Sequence, residues 1–223
     1  GLISPAEFIP LAEETGLLIE IDHWVLNTAC KEVMLWKNQF PELRDLTLGV
    51  NFSGKHFAFP DMADHLQSVL EEIRFPPQYL HLEITEGVLL QQPQAMNSTL
   101  TQITDLGIEL HLDDFGTGYS SLSYLQYFPF HTLKIDRSFV RGMLQRSSGA
   151  ELVRTIIAMA KALNLCVIAE GIEEKEQLDL LIELGCEYGQ GYYFSTPVQP
   201  EGALTIALEN VRQLKLKNQN TEE

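Results

Sequence analysis

Six short apolar segments recur along the chain, each separated from the next by a helical pattern and each ending in or beside a polar residue. They are Leu46–Phe52, Leu80–Ile84, Ile108–Leu112, His131–Asp136, Cys166–Glu170 and Tyr188–Gln190. The residues at their ends are Asn51, Glu83, Asp113, Lys134, Glu170 and Gln190. Strands that alternate with amphipathic helices form parallel sheets from βαβ units. In such a sheet the C-terminal ends of all strands lie on one side. Six polar groups in register at those ends are what the functional rim of a (β/α) barrel requires. The spacing predicts an α/β fold of the TIM-like barrel type, with about six of the eight strands present. No repeat of 20–50 residues accompanies the alternation, which excludes a solenoid.

Local signals place the intervening helices. Ser4-Pro5-Ala6-Glu7 reads as an N-cap serine, a first-turn proline and a capping-box glutamate, and the helix is expected to stop at Gly16. A second helix is expected from near Asp22, with Leu26, Ala29, Cys30, Val33 and Met34 on a buried face. Others are expected over Asp61–Ile73, Pro93–Asp105, around Ser120–Tyr127, Gly149–Leu163, Lys175–Leu184 and Pro200–Leu216, with a polar tail from Lys217 to Glu223. The Gly149–Leu163 helix would bury Leu152, Val153, Ile156, Ile157 and Ala160.

The segment Ile108 to Ser120 carries the densest chemistry. Adjacent residues of a strand face opposite ways, so Asp113 and Asp114 converge only if the strand ends there and the backbone turns. Gly116 and Gly118 supply that freedom. The rim as a whole is oxygen-rich: the carboxylates of Glu83, Asp113, Asp114 and Glu170 with the amide of Asn51. Oxygen donors suit Mg²⁺ or Mn²⁺ better than zinc, and crowded acids need cations to offset their repulsion. Asp113 is placed to bridge two ions with Asp114 serving the second, an arrangement suited to attack on a phosphodiester. Lys134 is suited to positioning water or neutralising a phosphate.

Composition narrows the substrate. A formal net charge of −16 opposes binding of polymeric nucleic acid, which rests on Lys and Arg; a small anion remains compatible where cations offset the acids. Three cysteines without metal-site spacing, Cys30, Cys166 and Cys186, point to reduced thiols and a cytoplasmic domain, and no apolar run approaches a membrane span. His81 and His111 each stand two residues before a rim acid and are expected inside the barrel, where satisfied polar residues are the preferred reading over a histidine metal site.

Taken in order, Phe8-Ile-Pro-Leu-Ala-Glu-Glu-Thr-Gly16, Val50-Asn-Phe-Ser53, Leu82-Glu-Ile-Thr-Glu86, Asp113-Asp-Phe-Gly-Thr-Gly-Tyr-Ser-Ser121, Lys134-Ile-Asp-Arg-Ser-Phe-Val140, Ala169-Glu-Gly-Ile-Glu173 and Gln190-Gly-Tyr192 resemble the EAL-domain family of cyclic di-GMP phosphodiesterases. The resemblance runs from Gly1 to about Pro200. It implies hydrolysis of cyclic di-GMP to linear pGpG with two Mg²⁺ or Mn²⁺ ions. Asn51, Glu83 and Asp113 would hold one ion, and Asp113, Asp114 and Glu170 the other. Lys134 would act on the nucleophilic water, with Gln190, Asp136 and Glu173 on the substrate side. Glu86, with Phe115 and Gly116, matches the loop that the family ties to dimerisation, which implies a homodimer and an upstream sensory or GGDEF domain in a longer protein.

The match departs most at its start. The family's Glu-Ala-Leu motif, with its metal-binding glutamate and nearby arginine, belongs just upstream of Gly1 and is absent here. The expectation is therefore an N-terminally truncated domain over residues 1–216, open where two strands are missing and poorly active as the 223-residue chain alone. The alternative is a non-catalytic cyclic di-GMP receptor or protein-interaction domain.

Overall fold

The computed structural model describes residues 3–58, 61–89, 93–118, 122–145 and 147–219. Its centre is one sheet of six parallel strands in sequential order: β1 (Leu48–Asn51), β2 (Leu80–Thr85), β3 (Glu109–Phe115), β4 (Thr132–Ile135), β5 (Cys166–Ala169) and β6 (Tyr188–Gly189). The strand order and the helical crossovers are those expected of a (β/α) barrel wall. Among the described residues β1 and β6 pair only with β2 and β5, so the wall stays open between them.

Strand β2 shows how sequence becomes layer. Leu80, Leu82 and Ile84 are fully buried toward the helices, while His81, Glu83 and Thr85 alternate to the inner side. The outer layer packs on α3 (Met62–Ile73), which buries Met62, Ala63, Leu66, Val69 and Leu70. It also packs on α5 (Pro93–Asp105), where Leu100 and Ile103 are buried, and on α8 (Ser147–Ala162), where Val153, Ile156, Ile157 and Ala160 are buried. Leu152, expected on that face, is instead 46% exposed; it lies one position off the buried stripe. The remaining helices are α1 (Pro5–Thr15), α2 (Leu17–Gln39), α4 (Glu86–Leu89), α6 (Leu122–Tyr127), α7 (Arg137–Gly142), α9 (Lys175–Glu183) and α10 (Pro200–Gln219).

Several boundaries differ from expectation. Ser4 is the N-cap of α1, but its side chain makes no capping bond, so the expected capping box does not form. Gly16, at φ 79°, ends α1 and the chain re-enters a helix at Leu17 rather than near Asp22. One left-handed residue suffices for such a corner. Helix α10 continues through Lys217 to Gln219. The expected start of a helix at Ser120, together with Tyr119 and Ser121 of the matched motif and the end of the tail at Glu223, lies outside the described residues.

The largest correction concerns β3. The strand does not end before the acid pair but runs through it to Phe115. Leu112 pairs with Leu133 and Phe115 with Ile135, so Asp113 and Asp114 together stand opposite Lys134 alone. Two residues facing one is a β-bulge. Asp114 takes up the extra length at φ 54°, a left-handed conformation that aspartate tolerates better than most residues. Gly116 follows at φ 94°, whereas Gly118 has no positive φ.

Candidate active site at the strand ends

The bulge explains how neighbouring carboxylates reach one place. Strict alternation would send one of them outward; the extra residue breaks it, and the carboxylate oxygens of Asp113, Asp114 and Glu170 lie within 4.8 Å of one another. Asp113 is further oriented by the Asp114 N–H, which donates to its Oδ1 at 3.0 Å.

Lys134 is the hub. Its Nζ is 2.6 Å from Glu83 Oε2, 2.7 Å from Glu170 Oε1 and 3.2 Å from Asp113 Oδ1, and the residue is 1% exposed. A lysine ammonium has three protons to donate, and β2, β3 and the end of β5 supply the acceptors. Burial alone would push this ammonium down; Glu83 and Glu170 more than reverse that and hold it above its ordinary value, so it stays charged. One ammonium cannot neutralise four acids. Burial raises the Asp114 carboxyl, with repulsion from Asp113 and Asp136 adding to it. Burial likewise raises Glu170, against the opposing bond and charge of Lys134, with smaller repulsion from Asp113 and Glu83 adding to the rise.

With all four acids ionised, four negative charges against one positive leave a formal excess of three on Glu83, Asp113, Asp114, Glu170 and Lys134. An all-oxygen donor set carrying excess negative charge fits hard divalent cations. Asn51 stands in register with Glu83 on the neighbouring strand, at the same rim and exposed. Gly49, two residues earlier, has a role that periodicity does not reveal. A Cβ there would come within 2.9 Å of Glu83 Oε1, so glycine leaves the glutamate its place.

The other expected residues are arranged around this hub. Asp136 is buried, and its Oδ1 caps α7 by accepting from the backbone N–H and hydroxyl of Ser138. Gln190 and Glu173 are exposed beyond β6 and β5; Gln190 ties the two segments through backbone bonds to Ala169 and Ile172. Glu86, 6% exposed at the start of α4, accepts the Gly116 N–H at 3.2 Å. A side chain at 116 would meet the Phe139 ring at 2.6 Å, so glycine is required there twice over, by φ and by space. Phe115 is buried in the core beside this loop.

Two groups were not singled out from the sequence. Asp22, buried on α2, accepts the Ser53 N–H at 3.1 Å just after Asn51 and lies 3.0 Å from His56 Nε2. A lone aspartate inside an apolar helical stripe was the only trace of it. Glu109, at the start of β3, lies 3.6 Å from the Nε2 atoms of both His81 and His111. His111 is not the satisfied residue expected: it is 4% exposed and neither ring nitrogen has a hydrogen-bond partner. Burial, with His81 and Lys134 nearby, depresses it to about 3, so its ring is neutral.

Comparison with known proteins gives the arrangement its family. Residues 1–197 match the model described as EAL domain. The chain is 42% identical over 197 residues to the signaling protein YkoW of Bacillus subtilis, covering 88% of this chain and 24% of that protein. It is 39% identical over 198 residues to cyclic di-GMP phosphodiesterase PdeR of Escherichia coli, covering 89% and 30%. The chain thus spans less than a third of the length of these curated relatives. Among solved structures, the PaMucR phosphodiesterase in complex with c-di-GMP superposes with a TM-score of 0.86 at 38% identity, covering 91% of this chain and 81% of that one. The FimX EAL domain from Pseudomonas aeruginosa bound to c-di-GMP gives 0.78 at 27% identity, covering 87% and 77%.

Proposed function

The chain belongs to the EAL domain family, and on that footing we propose that it is a phosphodiesterase domain that opens cyclic di-GMP to linear pGpG with Mg²⁺ or Mn²⁺. The observation that carries the reading is the meeting of Glu83, Asp113 and Glu170 on Lys134, with Asp114 beside them. The names of PdeR and of the PaMucR complex support the substrate.

In this reading Asn51, Glu83 and Asp113 hold one cation and Asp113, Asp114 and Glu170 a second. Bound there, the pair of ions would polarise the phosphodiester and make water a stronger nucleophile at neutral pH. The protein's own part is placement. Lys134 keeps its proton, so it cannot act as a base; it donates from Nζ to orient the attacking water and to offset charge on the phosphate oxygens. Gln190, Asp136 and Glu173 belong to the substrate side of the same rim. Glu86 holds the Gly116 amide and so fixes the exit of the bulge; in this family-based reading that loop couples the site to a homodimer.

The test is incubation of cyclic di-GMP with the protein and Mg²⁺ or Mn²⁺, with products separated by chromatography. Appearance of pGpG, absent without the cation and absent from an Asp113→Asn variant, supports the reading. Retained binding of cyclic di-GMP without turnover in a folded, cation-loaded protein would sink it and favour the receptor alternative.

A further inference from the structure

Beneath the acidic rim, the inner face of β2 and β3 carries a second group of donors. His81 Nε2 and His111 Nε2 each lie 3.6 Å from the same oxygen, Glu109 Oε2, and the donor atoms of the three residues fall within 4.8 Å of one another. The two imidazole rings stand 4.3 Å apart, tilted by 43°.

A separation of 3.6 Å is too long for a hydrogen bond. It is close to the edge of a tetrahedron around zinc, roughly 3.3–3.4 Å for bonds of about 2.0–2.1 Å. The spacing thus suits donors arranged around one shared cation better than direct pairing. A second, independent observation points the same way: His111 is almost wholly buried, yet both of its ring nitrogens lack partners. A buried polar atom without a partner is destabilising, and coordination at Nε2 would relieve this at that nitrogen. The donor chemistry also differs from the rim above. Two imidazoles and one carboxylate suit a borderline transition metal, where the all-oxygen rim suits Mg²⁺ or Mn²⁺.

We infer that His81, His111 and Glu109 form a three-ligand site for a transition metal of the zinc class, separate from the rim acids. Solvent reaches it from the side of His81 and Glu109, whose side chains are 17% and 44% exposed. The fourth position is open to water or to one further donor, the pattern of three-ligand zinc sites. His81 and His111 come two residues before Glu83 and Asp113 on the same strands. A metal here therefore clamps β2 to β3 one layer below the rim and holds those two acids at their spacing. The site stands independently of the phosphodiesterase reading.

The experiment is calorimetric titration of the full chain with ZnCl₂, with excess Mg²⁺ present to saturate the rim. One Zn²⁺ per chain is expected, weakened at least about 10-fold in His81→Gln and in Glu109→Gln and unchanged in Asp113→Asn. These two ligands are chosen because they are partly exposed, so their variants should melt like wild type without metal, whereas a change at buried His111 endangers the fold. The Co²⁺-loaded chain should show the intense visible absorption of four-coordinate cobalt, lost in the same two variants. Zn²⁺ binding indifferent to both His81→Gln and Glu109→Gln, or abolished by Asp113→Asn alone, would overturn the assignment.

Discussion

Lys134 Nζ lies 2.7 Å from Glu170 Oε1, joining a buried ammonium to an acid whose own proton affinity is raised. Lys134 is on β4 and Glu170 follows the end of β5 beside it, and the contact is one of three that the lysine makes with the rim. The lysine therefore serves two ends in one position: it offsets the acids in the metal-free protein and leaves a proton-bearing donor at the centre of the rim.

Replacing Lys134 by Met tests that balance. Removing one partner of a buried charge pair costs about 3–5 kcal/mol, so denaturant unfolding of the metal-free variant should show a loss of that order. Added Mg²⁺ should recover much of the loss, because cations then compensate the same acids. A Lys134→Met protein as stable as wild type without Mg²⁺ would mean the lysine does not compensate the rim.

Asp113 touches Lys134 and shares its surroundings with Asp114 and Glu170. Asp113→Asn should lower cyclic di-GMP turnover by at least about 100-fold, since loss of even an outer partner of a metal ligand costs 10–100-fold. The check is turnover at saturating Mg²⁺, alongside a thermal melt showing that the variant is folded.

The Gly116 N–H bond to Glu86 ties the loop after the bulge to α4, beside the bonds that Thr117 makes back to the Asp114 carbonyl. Glu86→Gln retains an acceptor and should leave the loop in place, whereas Glu86→Ala should expose the Gly116 amide to hydrogen exchange. Gly116→Ala combines a left-handed φ with a clash on Phe139 and should cost about 1–3 kcal/mol, read from denaturant midpoints. Equal Gly116 exchange in both Glu86 variants would refute the role given to this bond.

Acid should destabilise the metal-free protein through His111. Its value falls from 6.5 to about 3 on folding, a depressed value, so the stability it contributes is complete above the unfolded value and lost as pH falls toward the folded one. Across that window the loss is at most about 5 kcal/mol. Asp114 and Glu170 are raised and act with the opposite sign, gaining stability as they protonate. Comparing His111→Leu with wild type between pH 7 and about 4 isolates the histidine. The variant should lose less stability than wild type as pH falls, and parallel profiles would refute this origin.

Thiol reactivity reports the packing directly. Cys30 is completely buried, and that burial pushes it up to about 12, while Cys166 is exposed. A thiol reagent at neutral pH should label Cys166 first and Cys30 only after denaturation; peptide mapping of the labelled chain distinguishes them.

Much of the site could be read in one dimension. The period-two and period-3.6 patterns located six strands and their helices, and the ordered polar residues from Asn51 to Gln190 identified the rim and its family. These are local signals: a strand alternates because its two faces meet different surroundings, and its end is marked by the residues that leave the core. What the patterns could not yield depends on register between distant segments. Lys134 meets Glu83 across 51 positions of sequence, and Asp113 and Asp114 both turn inward because β3 carries one residue more than β4 between paired positions. The same register brings Glu109 between His81 and His111 and leaves Gly49 making room for Glu83. The sequence by itself determined which residues reach the inner face and the rim. Only tertiary structure decided which of them touch, because hydrogen-bonded strand pairing and a single bulge set their mutual heights, and neither is encoded in the spacing along one strand.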